Sequence, residues 1–417
     1  MLFMAIYTTV DGIYLSKCVS TDAIAAVNIS YPIVNVMFAL GFGLAAGGST
    51  RIASAIGEGN IKEADKRFTL LTVMGLLLSI ISMFLLLVLL NPLLGLLGAT
   101  DQLLGYCKIY ARIAVLSYPV GVMKEILGAV MRTQNLDMIS MISSVSGGVT
   151  NIILDYLFIK VFDMGIQGAA VATCIGMFVA LMINIFSLVY KGTIHLCRLR
   201  KSDLKEIIYI EKLSRSGVVM EISYAVTTWI FNRYSLLYGG EDGVAAYTVI
   251  GYIQYALAAI FIGIGMGLSP YISFAYGKGK ESLNKVIPLV WKFSIFSGVI
   301  VTLAGYLYAG QLTGIFADRQ TDVFSIAQKG AAVIAFSYLP MSINTSCSTI
   351  LNSCEEGKNA AMITLLRTVI FLVVWACIMT RFIKLNGIWM AYVLAEICTL
   401  AISGIYYKNY RIKKESV

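Results

Sequence analysis

The chain has 417 residues, of which 58% are apolar and only 13% charged, against roughly 25% charged in an ordinary soluble domain. That balance excludes a soluble multidomain enzyme, and six prolines set among Leu-, Ile- and Val-rich stretches exclude disorder, collagen and coiled coil. The formal charge of +9 raises nucleic acid as a partner, which its distribution along the chain rules against.

A membrane-crossing helix needs about 20 mainly apolar residues. In chain order the sequence predicts spans at 1–16, 24–50, 68–90, 104–131, 138–162, 166–190, 213–238, 244–275, 286–308, 323–352, 359–383 and 387–407. The first is short: 16 residues rise only about 24 Å, and it lacks the basic start and cleavage site of a signal peptide. We therefore expect the sequence to begin inside the first helix. The fold class is all-α integral membrane, with twelve transmembrane helices in two pseudo-symmetric six-helix bundles. The bundles are 1–190 and 213–407, joined by a basic, amphipathic linker at 191–212 and followed by a basic tail at 408–417.

Basic residues concentrate in alternate connections, among them Arg51, Lys62, Lys66, Arg67, Arg132, Lys191 to Arg215, Lys278 to Lys285 and the tail. By the positive-inside rule these connections and the C-terminus are cytoplasmic, and a multi-pass protein of the plasma membrane is expected. The single histidine, His195, lies in the linker, so no Ser-His-Asp triad or histidine-rich metal site can form and no cofactor is expected. The eight cysteines contain no CxxC and lie mostly in apolar runs, as small hydrophobes do.

The chain matches itself at an offset of 220, so that Asp22-Ala23-Ile24-Ala25-Ala26 pairs with Asp242-Gly243-Val244-Ala245-Ala246. Gly43, Gly47, Gly57 and Gly59 fall on Gly263, Gly267, Gly277 and Gly279, Ser117-Tyr118 on Ser337-Tyr338, and Gly165 on Gly387 after a two-residue slip. Gly43/Gly47 and Gly263/Gly267 predict close helix packing, and Gly57-Glu58-Gly59-Asn60 and Gly277-Lys278-Gly279-Lys280 predict helix stops. The copies differ in polarity. The first contains Asp11, Asn151, Asp155 and Thr173, whereas the second has Phe231 and, near the other positions, Val373, Cys377 and Ala395. Polar chemistry is thus expected in the first bundle, where Asn151 and Asp155, four apart, share a helix face. An ionisable side chain inside a span is costly and marks function by default. Glu221, in the seventh span, is a second candidate; Lys124 and Glu125 are expected on different faces, and Arg233 and Glu396 are read as packing, snorkelling or pairing residues with no functional role assigned.

Val10-Asp11-Gly12-Ile13-Tyr14, Asp22 to Val27, Ala55-Ile56-Gly57-Glu58-Gly59, Asn151 to Ile159 and Gly165 to Thr173 together resemble the multidrug and toxic compound extrusion (MATE) family. The resemblance runs along the whole chain. It implies two six-helix bundles that alternate between outward and inward openings, exporting organic cations or other amphiphiles in exchange for H⁺ or Na⁺. It implies a cation or proton site at Asp11, Asn151, Asp155 and Thr173, with Tyr7 on the first helix. It also implies a substrate or proton site at Glu221 and on the tenth helix, where the family's Asp is replaced here by Asn344.

The carboxylates can serve as proton acceptors, or they can join an amide oxygen and a hydroxyl in an all-oxygen Na⁺ cage; the sequence leaves both open. The expected partners are a small amphiphilic or cationic substrate and membrane lipid, with the protein a monomer. The competing readings are a flippase for lipid-linked precursors, which would be expected to hold phosphates with basic residues in its cavity, and a non-transporting membrane scaffold or receptor.

Overall fold

The computed structural model describes residues 21–97 and 101–415, together with Val19 and Ala99. Helix α1 (Thr21–Gly57) stops at Gly57-Glu58-Gly59, where Gly59 takes a left-handed φ of 75°. The next helix, α2 (Ile61–Leu96), is capped by Asn60, whose side chain accepts from the Glu63 amide. Leu77, Ile81, Phe84 and Val88 recur along one face of α2 and are 55–78% exposed. Such a stripe would cost free energy in water; in lipid it is the outer surface of a span.

Helices α3 (Asp101–Leu116) and α4 (Tyr118–Thr133) form one span bent by 44° at Ser117, and α10 (Asp322–Ala335) and α11 (Tyr338–Ser353) form another bent by 52° at Ser337. Both bends fall on the Ser-Tyr pair of the sequence repeat. Their shared cause is a proline in the turn that follows, Pro119 or Pro340, which removes a backbone donor, and a serine hydroxyl that turns back to the carbonyl three residues earlier.

Between these lie α5 (Asp137–Asp155), a π-helical segment (Tyr156–Val161), α6 (Gly165–Lys191), a 3₁₀ turn (Lys201–Lys205) and α7 (Glu206–Lys278). Gly240, at φ 62° and ψ −154°, breaks α7 into arms at 206–239 and 241–278. After Gly279, at φ 112°, come α8 (Lys280–Leu307) and the short α9 (Ala309–Thr313). Beyond α11, α12 (Gly357–Leu365) runs through a second π segment (Leu366–Ile370) into α13 (Phe371–Ile383), and α14 (Asn386–Glu415) closes the chain. Among the described residues, eight helices and the two bent pairs are long and apolar enough to cross a membrane. The 213–238 segment is the first arm of α7.

The chain forms two compact units, divided between Glu221 and Ile222 inside α7. The first is built on Ile52, Leu71, Leu94, Ile126 and Met131, and the second on Phe231, Tyr338 and Trp389, with a further cluster around Ile272 and Leu351. In the first unit Gly43 and Gly47 let α1 meet the start of α7: a Cβ on Gly47 would stand 2.7 Å from the Ile210 carbonyl oxygen. The expected close packing at the second pair is not found among the described residues, where nothing lies within 4 Å of a Cβ at Gly263 or Gly267.

The linker is not a separate helix. Residues 192–200 run extended along the first unit, held by Gln134 Oε1, which accepts from the Thr193 and Ile194 amides at 2.7 and 3.1 Å. Asp65 and Thr69 on α2 accept from the amides of His195 and Cys197. Glu206 then takes Arg51 in a two-pronged contact at 2.7 and 3.1 Å and Arg67 at 3.4 Å, and Arg67 also donates to the Arg51 carbonyl.

Candidate functional site

Helices α5 and α6 meet along a seam of small residues. A Cβ on Gly147 would stand 2.7 Å from the Gly176 carbonyl oxygen, and one on Gly176 would stand 2.6 Å from the Gly147 carbonyl oxygen, so neither position accepts a side chain without separating the helices. One turn away, Ser143 donates to the Ala180 carbonyl at 2.8 Å. The seam advances four residues at a time along α5, from Ser143 to Gly147, Asn151 and Asp155, which is the spacing of one helix face.

That approach brings Asn151 and Thr173 together. Thr173 Oγ1 donates to the Ala169 carbonyl at 3.1 Å, so it can only accept from Asn151, whose Nδ2 donates to it at 3.3 Å. The amide is thereby oriented with Oδ1 turned away from Thr173. Asn151 is 2% exposed, and among the described residues its Oδ1 accepts no hydrogen bond. Asp155, the next residue on the face, is completely buried and stands at the entry to the π segment. A π turn inside an α-helix resets the angular position of everything after it and recurs at functional sites.

The donor set is therefore a carboxylate, a buried amide oxygen without a partner among the described residues, and a hydroxyl. Hard oxygen donors of this kind suit a proton or a hard cation rather than a soft transition metal. Among the described residues no three His, Cys, Asp or Glu side chains converge as a metal cluster. Asp11 and Tyr7 lie outside the described residues, as does the Glu221 side chain, although its backbone lies in α7.

The second unit overturns the expectation that polar chemistry is confined to the first. Asn344 on α11 is fully buried and donates from Nδ2 to Glu396 Oε2 at 2.8 Å and to the Glu396 carbonyl at 2.9 Å. Glu396, on α14, also pairs with Arg367 in the second π segment, Nε to Oε1 at 3.5 Å. The sequence register placed Ala395 opposite Thr173 and so passed over its neighbour. Arg367 went unread, though a charge inside an apolar span is itself a signal to look for a partner. Lys124 and Glu125 are likewise not on separate courses. The long lysine stem turns back to pair with its neighbour at 2.6 Å.

Long apolar helices, two bent spans and buried polar residues along the fifth and sixth spans define a multi-pass membrane protein. The MatE family model matches residues 1–157 and 216–377, one stretch in each half, and the chain belongs to this family. Relatives include the Multidrug export protein MepA of Staphylococcus saprophyticus, 26% identical over 97% of this chain and 90% of the relative. The protein of the same name from Staphylococcus aureus strain MSSA476 is 24% identical with the same coverage. Among solved structures, the outward-facing conformation of a multidrug resistance MATE family transporter of the MOP superfamily has a TM-score of 0.93 at 21% identity, covering 100% of this chain and 93% of that one. A variant of the Vibrio cholerae MATE transporter VcmN has a TM-score of 0.91 at 20% identity, covering 98% and 93%. The fold is that of the MATE transporters, twelve helices in two lobes.

Proposed function

We propose that the protein is a secondary antiporter of the plasma membrane that exports cationic or amphiphilic small molecules in exchange for H⁺ or Na⁺. The observation that carries the coupling is the oriented Asn151 amide, its Oδ1 buried beside the Asp155 turn of α5. A buried acceptor with no donor costs about 1–3 kcal/mol, and a bound cation or a protonated carboxylate relieves that cost. Export as the direction of transport is supported by the relatives called multidrug export proteins.

An ion can drive transport only by binding one conformation better than another. Asn151, Asp155 and Thr173 lie on one helix seam, so an ion there ties α5 to α6 and its release frees that tie. Asp11 and Tyr7 complete the site in this reading, and Glu221 contributes to substrate recognition. A lipid-precursor flippase is less well supported: apart from Arg233 and Lys124 the sequence places few basic residues in the spans, and Lys124 and Arg367 each pair with a carboxylate.

The test is efflux of a fluorescent organic cation from proteoliposomes under separately imposed pH and Na⁺ gradients. One gradient is expected to drive efflux, and D11N and D155N are expected to abolish it while the protein still inserts and elutes as a single species. Efflux that responds to neither gradient, or that survives in both variants, would remove the coupling assignment.

A further inference from the structure

Arg367 and Glu396 form an ion pair inside the second unit, with side chains only 10% and 9% exposed. Both are held by neutral groups from neighbouring spans. Arg367 Nη1 donates to Thr345 Oγ1 on α11 at 2.5 Å, and Thr227 on the first arm of α7 donates to the Thr368 carbonyl in the same π segment at 2.6 Å. Ser403 donates to Asn344 Oδ1 at 2.9 Å, which fixes that amide with its NH₂ toward Glu396.

The contacts of Glu396 favour its ionised form. Glu396 Oε2 accepts from the Asn344 NH₂ at 2.8 Å, and Oε1 lies 3.5 Å from Arg367 Nε in an ion-pair contact. A protonated Glu396 would need an acceptor for its own hydroxyl, and among the described residues these contacts offer it none. Protonation would also strand the guanidinium as an uncompensated buried cation, which is worth several kcal/mol. The elements packed around the pair add hydroxyls and the thiols of Cys347, bonded to the Ser403 carbonyl, and Cys398, bonded to Trp375; among the described residues no other charged side chain contacts it.

Position gives this pair its meaning. It bridges the fifth and sixth spans of its half, as Asn151 and Thr173 do in the first half, and in both halves the polar residues stand at a π segment. In the second half the carboxylate stands beside a guanidinium. We infer that Arg367 is a tethered cation: it gives Glu396 a permanent counter-charge within the second half. It holds Glu396 ionised throughout the transport cycle, and ion exchange is confined to the first half. Arg367 is thus a positioning residue for the antiport reaction. The contrast between halves rests on the coupling site proposed at Asp155, whereas the charge state of Glu396 rests on its own contacts.

The experiment is infrared difference spectroscopy of the full-length protein in proteoliposomes, between acid and neutral pH, read at the carboxylic-acid C=O stretch. E396Q is expected to match the wild type, because Glu396 does not take up a proton. R367Q is expected to gain one band, absent again from R367Q/E396Q, while R367K keeps the wild-type spectrum. The pH profile of efflux in R367Q gains a second titration. The inference is overturned if E396Q or the double variant loses a band present in the wild type, or if R367Q gains none. The double variant removes both charges together and keeps the comparison available where a single substitution fails to fold. D155N separates the two claims: if it leaves both the spectrum and efflux unchanged, the coupling site is wrong while the R367Q result still decides the state of Glu396.

Discussion

Glu206 is the residue through which the linker and the first turn of α7 are fastened to α1 and α2, and its neutralisation offers a quantitative test of that fastening. The substitution E206Q keeps size and shape but removes the charge shared by Arg51 and Arg67. The Arg51–Glu206 contact has both nitrogens engaged and side chains 11% and 17% exposed. Exposed ion pairs contribute up to about 1 kcal/mol, and breaking a fully buried pair by removing one partner costs about 3–5 kcal/mol. This site lies between the two, so about 2 kcal/mol is expected, or roughly 30-fold in the equilibrium between fastened and released linker.

Limited trypsin digestion in detergent reads that equilibrium, because Arg198, Arg200, Lys201 and Lys205 lie in the fastened stretch. When reclosing outpaces cleavage, the cutting rate follows the population of the opened form. E206Q is therefore expected to be cut about 30-fold faster at these sites. The control is E211Q, which breaks the exposed Glu211–Arg215 pair on the next turn of α7 and is expected to leave the rate unchanged. Equal rates in E206Q and E211Q would refute the reasoning, since they would mean the buried contact holds nothing that the exposed one does not.

Gln134 should behave similarly by a different force. Q134A orphans the buried Ile194 amide and is expected to loosen the linker by about 1–3 kcal/mol, measured by the same digestion, whereas Q134E keeps the acceptor and the protection. G176A places a Cβ against the Gly147 carbonyl; a loss of about 1–3 kcal/mol in thermal stability is expected, with efflux lost because Asn151 and Thr173 no longer meet. T173A is expected to raise the driving-ion concentration needed for half-maximal efflux about tenfold, one hydrogen-bonding oxygen being worth about 1–1.5 kcal/mol, and T173S to restore it.

Much of the fold could be read before any coordinates, because its determinants are local. Apolar run length set the spans, the Gly57 and Gly277 turns ended helices where expected, and the repeated Ser-Tyr pair marked both bends. The Asn151–Asp155 spacing likewise placed two polar residues on one face. Contacts between helices were less legible. The link from Asn151 to Thr173 depends on Gly147 and Gly176 bringing backbones together, and that was not apparent from polar residues alone. The linker looked like a surface amphipath because Leu199 and Ile207 are apolar, but its course is set by single hydrogen-bond acceptors on Asp65, Thr69 and Gln134, none of which carries a sequence pattern. Glu396 stood out as a charge in a span, but its partner did not: Arg367 lies 29 residues earlier on another helix, and no local spacing links the two.

The two π segments show how one architecture can hold two different charge arrangements. A π turn widens the helix and needs neighbouring groups to satisfy the backbone it disturbs, a demand that is acute where no water is present. In the second half Thr227 answers that demand at the Thr368 carbonyl, and Arg367, in the same turn, projects to Glu396 and Thr345. In the first half the π segment begins directly after Asp155, and one turn earlier Asn151 donates to Thr173 on the facing helix while its own Oδ1 accepts no hydrogen bond among the described residues. In the proposed division of labour the neutralised second-half centre is indifferent to the ion gradient, and the first half responds to it. Because only differential binding moves a conformational equilibrium, making one half indifferent assigns the work of the gradient to the other. Replacing Arg367 by a neutral residue therefore tests the division of labour itself: it should give the second half an ionic response without altering any residue of the first.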